Sequence, residues 1–226
     1  MRVSRIKFIS SNIVLLQLFL LFITFDTFKD DKDNYIDYAR NSLDILANRI
    51  DAGILEFTVN EPLWLSLNIG LGLLLDDRHI PLVICIISYL ISVYIIFKHS
   101  GCKYIPLILI LCFMPQIFLK FNTHIRQGLA ISIFLYAFFT KDNGFSKMIL
   151  ILASGLVHNS FLFVFIVYLM WVLILRRTNV YFNLIIFLVS SFSFGFYFFE
   201  ILNYLAFRQG TNYIYITHNI SGIGFL

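Results

Sequence analysis

Residues 80–97 read IPLVICIISYLISVYIIF, a run with no charged residue and no alternation of polar and apolar positions. Coiled at 1.5 Å per residue, such a run covers about 27 Å, close to the roughly 30 Å hydrocarbon core of a bilayer. The rest of the chain is built alike. Apolar residues make up 59% and charged residues 13%, against about 25% charged in soluble domains. That much apolar surface is too great for one soluble domain of this size to hide, so lipid must cover it. In lipid every backbone amide needs an internal partner, which leaves helices or a closed barrel. Continuous rather than alternating apolar runs select helices.

Working outward from this run, the charges set a topology. Ile80–Phe97 is followed by Lys98, His99 and Lys103. Tyr104–Leu119 reads as a second full span. The next helix starts near Asn122 or Thr123, carries Arg126 just inside the membrane boundary, runs to Phe139 and meets Lys141 and Lys147. Two spans separate the Lys pairs, so the positive-inside rule puts both in the cytoplasm. Asp76-Asp77-Arg78-His79 and the segment Lys120–Gln127 then lie outside. Upstream, Leu63–Leu75 covers only about 20 Å and reads as re-entrant. Asp26–Glu61 holds nine acids against four bases and belongs outside. Within it Ile36, Ala39, Leu43, Leu46, Ile50 and Ile54 mark one face of a helix, with Asp37, Arg40, Asp44 and Asp51 turned away, as in an amphipathic helix lying on the outer membrane face. The first span, Ile6–Phe25, follows Arg2, Arg5 and Lys7 and lacks a cleavage site of small residues. It reads as a retained anchor with a cytoplasmic N-terminus.

Downstream, Met148–Leu175 is 28 residues interrupted at His158-Asn159-Ser160. It reads either as one tilted span or as two helical segments meeting at His158. Arg176-Arg177 follow, then a last span at Val180–Phe199. The tail Glu200–Leu226 turns apolar at Ile220–Leu226, like a further span cut short. The expected fold is all-α: a polytopic membrane protein of about six to eight transmembrane or re-entrant helices. It forms a single integral membrane domain over residues 1–226, with an outer acidic segment at 26–62 and a truncated C-terminus. Topology accounts for most of the +4 net charge, so no nucleic-acid partner is expected. Cys85, Cys102 and Cys112 are scattered and give neither a zinc spacing nor a disulfide scaffold.

Polar residues inside apolar runs carry the functional signal. An arginine at bilayer depth costs about 2.5–3.5 kcal/mol even on an insertion scale. Arg126 therefore faces a cavity or partner, where its planar fork suits phosphate or carboxylate, or it snorkels to headgroups. His158 is either a hydrogen-bonder between helices or a general base or hydroxyl-binding group. Glu61-Pro62 is ordinary helix-start chemistry, and equally a carboxylate at a helix mouth where a base would sit. Asp30-Asp31-Lys32-Asp33 reads as a solvated acidic loop rather than a metal site. Arg208 in the tail is a second cationic candidate. No zinc-protease, P-loop, dinucleotide or serine-elbow motif occurs.

Several of these stretches together resemble one family. They are Asp33-Asn34-Tyr35 followed by Tyr38, Glu61-Pro62-Leu63-Trp64, Ile125-Arg126-Gln127-Gly128-Leu129-Ala130, and Leu152-Ala153-Ser154-Gly155-Leu156-Val157-His158-Asn159-Ser160. They are similar to the EpsG-like, Wzy-type polysaccharide polymerases of bacterial surface-glycan pathways. The most specific part is the pair Arg-Gln-x-x-Ala and Ala-Ser-x-x-x-His-x-Ser. The resemblance covers roughly residues 26–175, and family members are usually longer. It implies an enzyme of the bacterial inner membrane that joins repeat units carried on undecaprenyl diphosphate. Arg126 would take up charge on the leaving diphosphate, and Glu61, Asp33 or His158 would serve as base. Arg126, His158 and Glu61 are the implied catalytic residues. Asp33, Tyr35, Gln127 and Arg208 are the expected substrate contacts. No metal or cofactor is expected where Arg supplies the charge. A flippase and a chain-length regulator are the implied pathway partners. Competing readings are a flippase for lipid-linked glycans, which usually shows two similar halves that this chain lacks, a membrane acyltransferase or glycosyltransferase with another donor, and a non-catalytic assembly subunit.

Overall fold

The computed structural model describes residues 2–25, 29–140, 144–173 and 179, together with 181–186, 188–189 and 192. Among them no strand occurs; ten helices follow one another as far as Leu173, and 181–186 are helical beyond them. They are α1 (Arg2–Thr24), α2 (Lys29–Asp51), α3 (Ile54–Val59), α4 (Pro62–Gly72), α5 (Ile80–His99), α6 (Ile105–Leu111), α7 (Pro115–Asn122), α8 (Ile125–Thr140), α9 (Gly144–Val157) and α10 (Ser160–Leu173).

Among the described residues two helices, α1 and α5, are long and apolar enough to cross a bilayer, and α6 with α7 makes a third if that bent pair is one span. The distribution of polarity on α1 is inverted relative to a soluble helix. Ser10, Gln17 and Leu21 are buried, while Phe8, Leu15, Phe19 and Phe22 are exposed. Gln17 Nε2 donates to the Leu109 carbonyl of α6 at 2.6 Å, and Gln17 Oε1 accepts from the Tyr89 hydroxyl of α5. Polar groups turned inward and phenylalanines turned outward are what a lipid surround selects.

Small residues let the next helices approach. Ser132 Oγ on α8 lies 2.7 Å from the Ser88 carbonyl and 2.9 Å from the Ser92 hydroxyl of α5. At Gly128 the approach is closer still. A Cβ there would stand 2.3 Å from the Lys120 carbonyl oxygen, so the end of α7 lies directly on the start of α8. The short helix α4 packs against α2, α5 and α9, with Trp64, Leu65 and Asn68 fully buried. Its 11 residues cover only about 16 Å, too little to cross alone.

Several sequence expectations need correction. Tyr104–Leu119 is not one helix. Pro115 has no N–H to give to Leu111, and its ring clashes with that carbonyl. The Leu111 carbonyl accepts from Met114 N instead, at 3.0 Å, and the chain bends by 74° between α6 and α7. The helix carrying Arg126 starts at Ile125 rather than near Asn122, so Arg126 is its second residue. The stripe over residues 36–54 is split. α2 stops at Asp51, Gly53 turns the chain with φ 114°, and Ile54 opens α3. The face of α2 that packs inward holds Tyr35, Tyr38, Ala39, Ser42 and Leu46, whereas Leu43 and Ile50 are exposed. Of the two alternatives for Met148–Leu175, the chain takes the pair of segments meeting at His158. Most of Val180–Phe199, and Arg208 with the rest of the tail, lie outside the described residues.

Candidate functional site

Three helix ends converge on one carboxylate. Glu61 precedes Pro62, which opens α4. Proline disfavours the right-handed helical region for the residue before it. Glu61 takes φ 62° and ψ 49°, left-handed backbone that no other non-glycine among the described residues adopts. Such a residue costs on the order of 1–3 kcal/mol and persists only where its surroundings hold it. Here they do, because the side chain is buried and both oxygens are engaged.

Arg126 Nη1 donates to Glu61 Oε2 in an ion pair. Arg126 stands in the first turn of α8, where a cation opposes the helix dipole, so its placement is explained by the carboxylate and not by the helix. The faces of two tyrosines flank the guanidinium. Arg126 Cζ lies 5.8 Å from the ring centre of Tyr35 and 5.3 Å from that of Tyr38. These residues are three apart on α2 and so share one face. Desolvated cation–π contacts of this kind contribute about 2 kcal/mol. Trp64, in the first turn of α4, meets Tyr35 edge-on at 5.9 Å.

His158 closes the cluster, with its Nδ1 2.8 Å from Glu61 Oε1. It occupies the break between α9 and α10, and the turn there is tight. A Cβ on Gly155 would stand 3.0 Å from the Leu162 nitrogen and 2.8 Å from its side chain, so glycine is what lets α10 start back across α9. His158 closes the last turn of α9, its N–H donating to the Ser154 carbonyl at 3.0 Å, and its side chain points at the start of α4.

The structure thus brings Glu61, Arg126, His158 and Tyr35 together. Gln127 stands beside the cluster and accepts from Lys120 Nζ at 2.7 Å. Asp33 is exposed. Two residues from Tyr35, it sits about 200° around α2 and does not join the cluster. Tyr38, Trp64 and Lys120 were not singled out as site residues in the sequence, although the spacing of Tyr35 and Tyr38 marks a shared face.

The arrangement has specific chemical capacities. With Nδ1 directed at Glu61, the imidazole is held in the tautomer that leaves Nε2 to accept a proton. Arg126 Nε and Trp64 Nε1 are buried donors with no hydrogen-bond acceptor among the described residues. Both lie against Tyr35. Buried N–H groups without acceptors cost about 1–3 kcal/mol each.

No curated protein matches the chain, and no solved structure does. The profile of the EpsG family matches residues 10–224, nearly the whole length and every residue of the cluster just described. The chain belongs to the EpsG family.

Proposed function

We propose that this protein polymerises oligosaccharide repeat units carried on a polyprenyl diphosphate, at the outer face of the bacterial cytoplasmic membrane. EpsG membership supports a polysaccharide polymerase-type function, and the Glu61–Arg126–His158 cluster is the observation that carries the finer reading. An acceptor-sugar hydroxyl oxygen attacks the anomeric carbon of the growing chain. The bond from that carbon to the diphosphate oxygen breaks, and the electron pair leaves on the polyprenyl diphosphate. Arg126 meets the charge that develops there, and such preorganised donors are typically worth 10²–10³ in rate. The hydroxyl proton passes to His158 Nε2, with Glu61 holding the ring through Nδ1 and bearing the imidazolium that forms. Both Glu61 oxygens already have partners, which favours His158 over Glu61 as the base. Tyr35 and Gln127 line the approach. The rest of the reading follows the sequence: about six to eight transmembrane or re-entrant helices in one membrane domain, a cytoplasmic N-terminus, and a flippase and a chain-length regulator as partners.

The test is glycan chain length on gels from cells carrying wild type, Arg126→Ala, Arg126→Lys or no protein, with membrane expression checked. Single repeat units on lipid with Arg126→Ala, against ladders with wild type, are expected. Arg126→Lys keeps the charge but loses the fork and should give short ladders. Identical ladders in all four strains would remove both the polymerase reading and the role of Arg126.

A further inference from the structure

A cavity of about 480 Å³ lies between α5, α7 and α8, apart from the Glu61 cluster. Its α8 wall is Ile131, Leu135 and Phe139, spaced four apart and therefore on one face of the helix. The same stripe extended back one turn reaches Gln127, the residue after Arg126. Gln127 accepts from Lys120, and Lys120 itself lines the cavity. At the other end the His99 ring rests on Phe139 at 5.9 Å. From Ile131 to Phe139 the groove runs about 12 Å along α8. It is an apolar channel with Lys120 at one end, bonded to the residue after Arg126, and an aromatic stop at the other. The acceptor of Lys120 is a neutral amide oxygen, which leaves its positive charge available to an anion.

We infer that this groove holds the first isoprenoid units of a polyprenyl diphosphate, with Lys120 and Gln127 at its phosphates. The charge pattern selects the occupant. A polyprenyl diphosphate has one apolar chain and one strongly anionic head, and the groove offers one apolar stripe and one half-buried cation. Gln127 follows Arg126 on α8, about 100° around the helix, so a diphosphate held at Gln127 lies beside the turn that carries Arg126. The inference rests on the reading of the substrate as a polyprenyl diphosphate, but it concerns binding and not polymerisation.

The experiment uses the full chain in nanodiscs and a diazirine-bearing geranylgeranyl diphosphate as photoprobe, with labelled residues mapped by mass spectrometry. Label is expected on α8 between Ile131 and Phe139 and on the facing part of α5. Excess geranylgeranyl diphosphate should remove it, whereas geranylgeraniol and phosphatidylglycerol should compete poorly. Ile131→Trp and Leu135→Trp should abolish the label by filling the groove. Lys120→Gln should weaken competition by the diphosphate about tenfold, the loss of one charge-assisted contact. Equal competition by phosphatidylglycerol would make the groove a general lipid site and overturn the inference, as would label spread over the exposed face of α1. If the tryptophan variants fail to fold, the wild-type competition series decides alone. Identical ladders in all four strains, the one without the protein included, would remove the polymerase reading while leaving this labelling intact, so the two failures are separable.

Discussion

Glu61 combines two costs: a left-handed backbone and a carboxylate taken out of water. Breaking one side of a buried ion pair typically costs about 3–5 kcal/mol, more than the 1–3 kcal/mol of backbone strain, so the pairing is what holds the strained turn. Glu61→Gln keeps the shape but leaves Arg126 buried without its carboxylate. It should both lower the melting temperature in detergent and shorten the glycan ladder. His158→Gln separates the two effects. It keeps a donor toward Glu61 and removes the base, so ladder formation should slow by about 10²–10⁴ with little change in melting. Polymerisation by His158→Gln at the wild-type rate would end its role as base. Arg126 and His158 were legible in the sequence because a charge or imidazole in an apolar run is expensive enough to need a reason. Tyr38 and Trp64 were not. In a chain with 18% aromatics a ring carries no signal until its partner is known, and the partners stand far away in sequence.

At the scale of elements, the breaks matter more than the helices. Pro115 bends α6 from α7, Gly53 ends the run of α2, and His158 separates α9 from α10. Hydropathy locates apolar runs without registering which amide is missing, so the expected span at Tyr104–Leu119 passed through Pro115 unbroken. On α2 the apolar stripe includes the exposed Leu43 and Ile50. Periodicity reports the apolar stripe, but in a membrane the apolar stripe is free to meet lipid, while tyrosines and a serine pack inward. The break at His158 was one of two options in the sequence, and Gly155 decides it through its closeness to Leu162. The contact at Gly128 joins an element boundary to the site. A methyl there would overlap the Lys120 carbonyl, pushing α7 from the first turn of α8, where Arg126 and Gln127 sit. Gly128→Ala should destabilise by about 1–3 kcal/mol, the usual cost of overpacking, seen as a lower melting temperature. Because Lys120 moves with α7, prenyl-diphosphate labelling should weaken as well. Gly144→Ala, at the start of α9 with open space around its Cβ position, is the control and should change neither.

For the whole molecule, the decisive unknown is which side of the membrane the cluster faces. α5 is 20 residues long, about 30 Å, and matches the hydrocarbon core. If it crosses, its ends emerge on opposite sides. The acidic turn Asp76-Asp77 precedes it, and Lys98 and Lys103 flank its far end. The positive-inside rule puts the lysine end in the cytoplasm. α4 is too short to cross on its own, and only a short turn separates it from α5. If α4 does not cross, Glu61 returns to the side of Asp76, and the cluster faces outward with it. That prediction is checked with a membrane-impermeant maleimide on spheroplasts. Cys85 and Cys112 are replaced by Ser, and Cys102, just past the end of α5, is kept as a natural probe. Asp76→Cys should react in intact spheroplasts, and Cys102 only after permeabilisation. Reaction at both positions from outside would mean that α5 does not cross. The reverse pattern would turn the cluster toward the cytoplasm, where the expected donors are nucleotide sugars rather than flipped lipid-linked repeats, and would overturn outer-face polymerisation even with Arg126 essential.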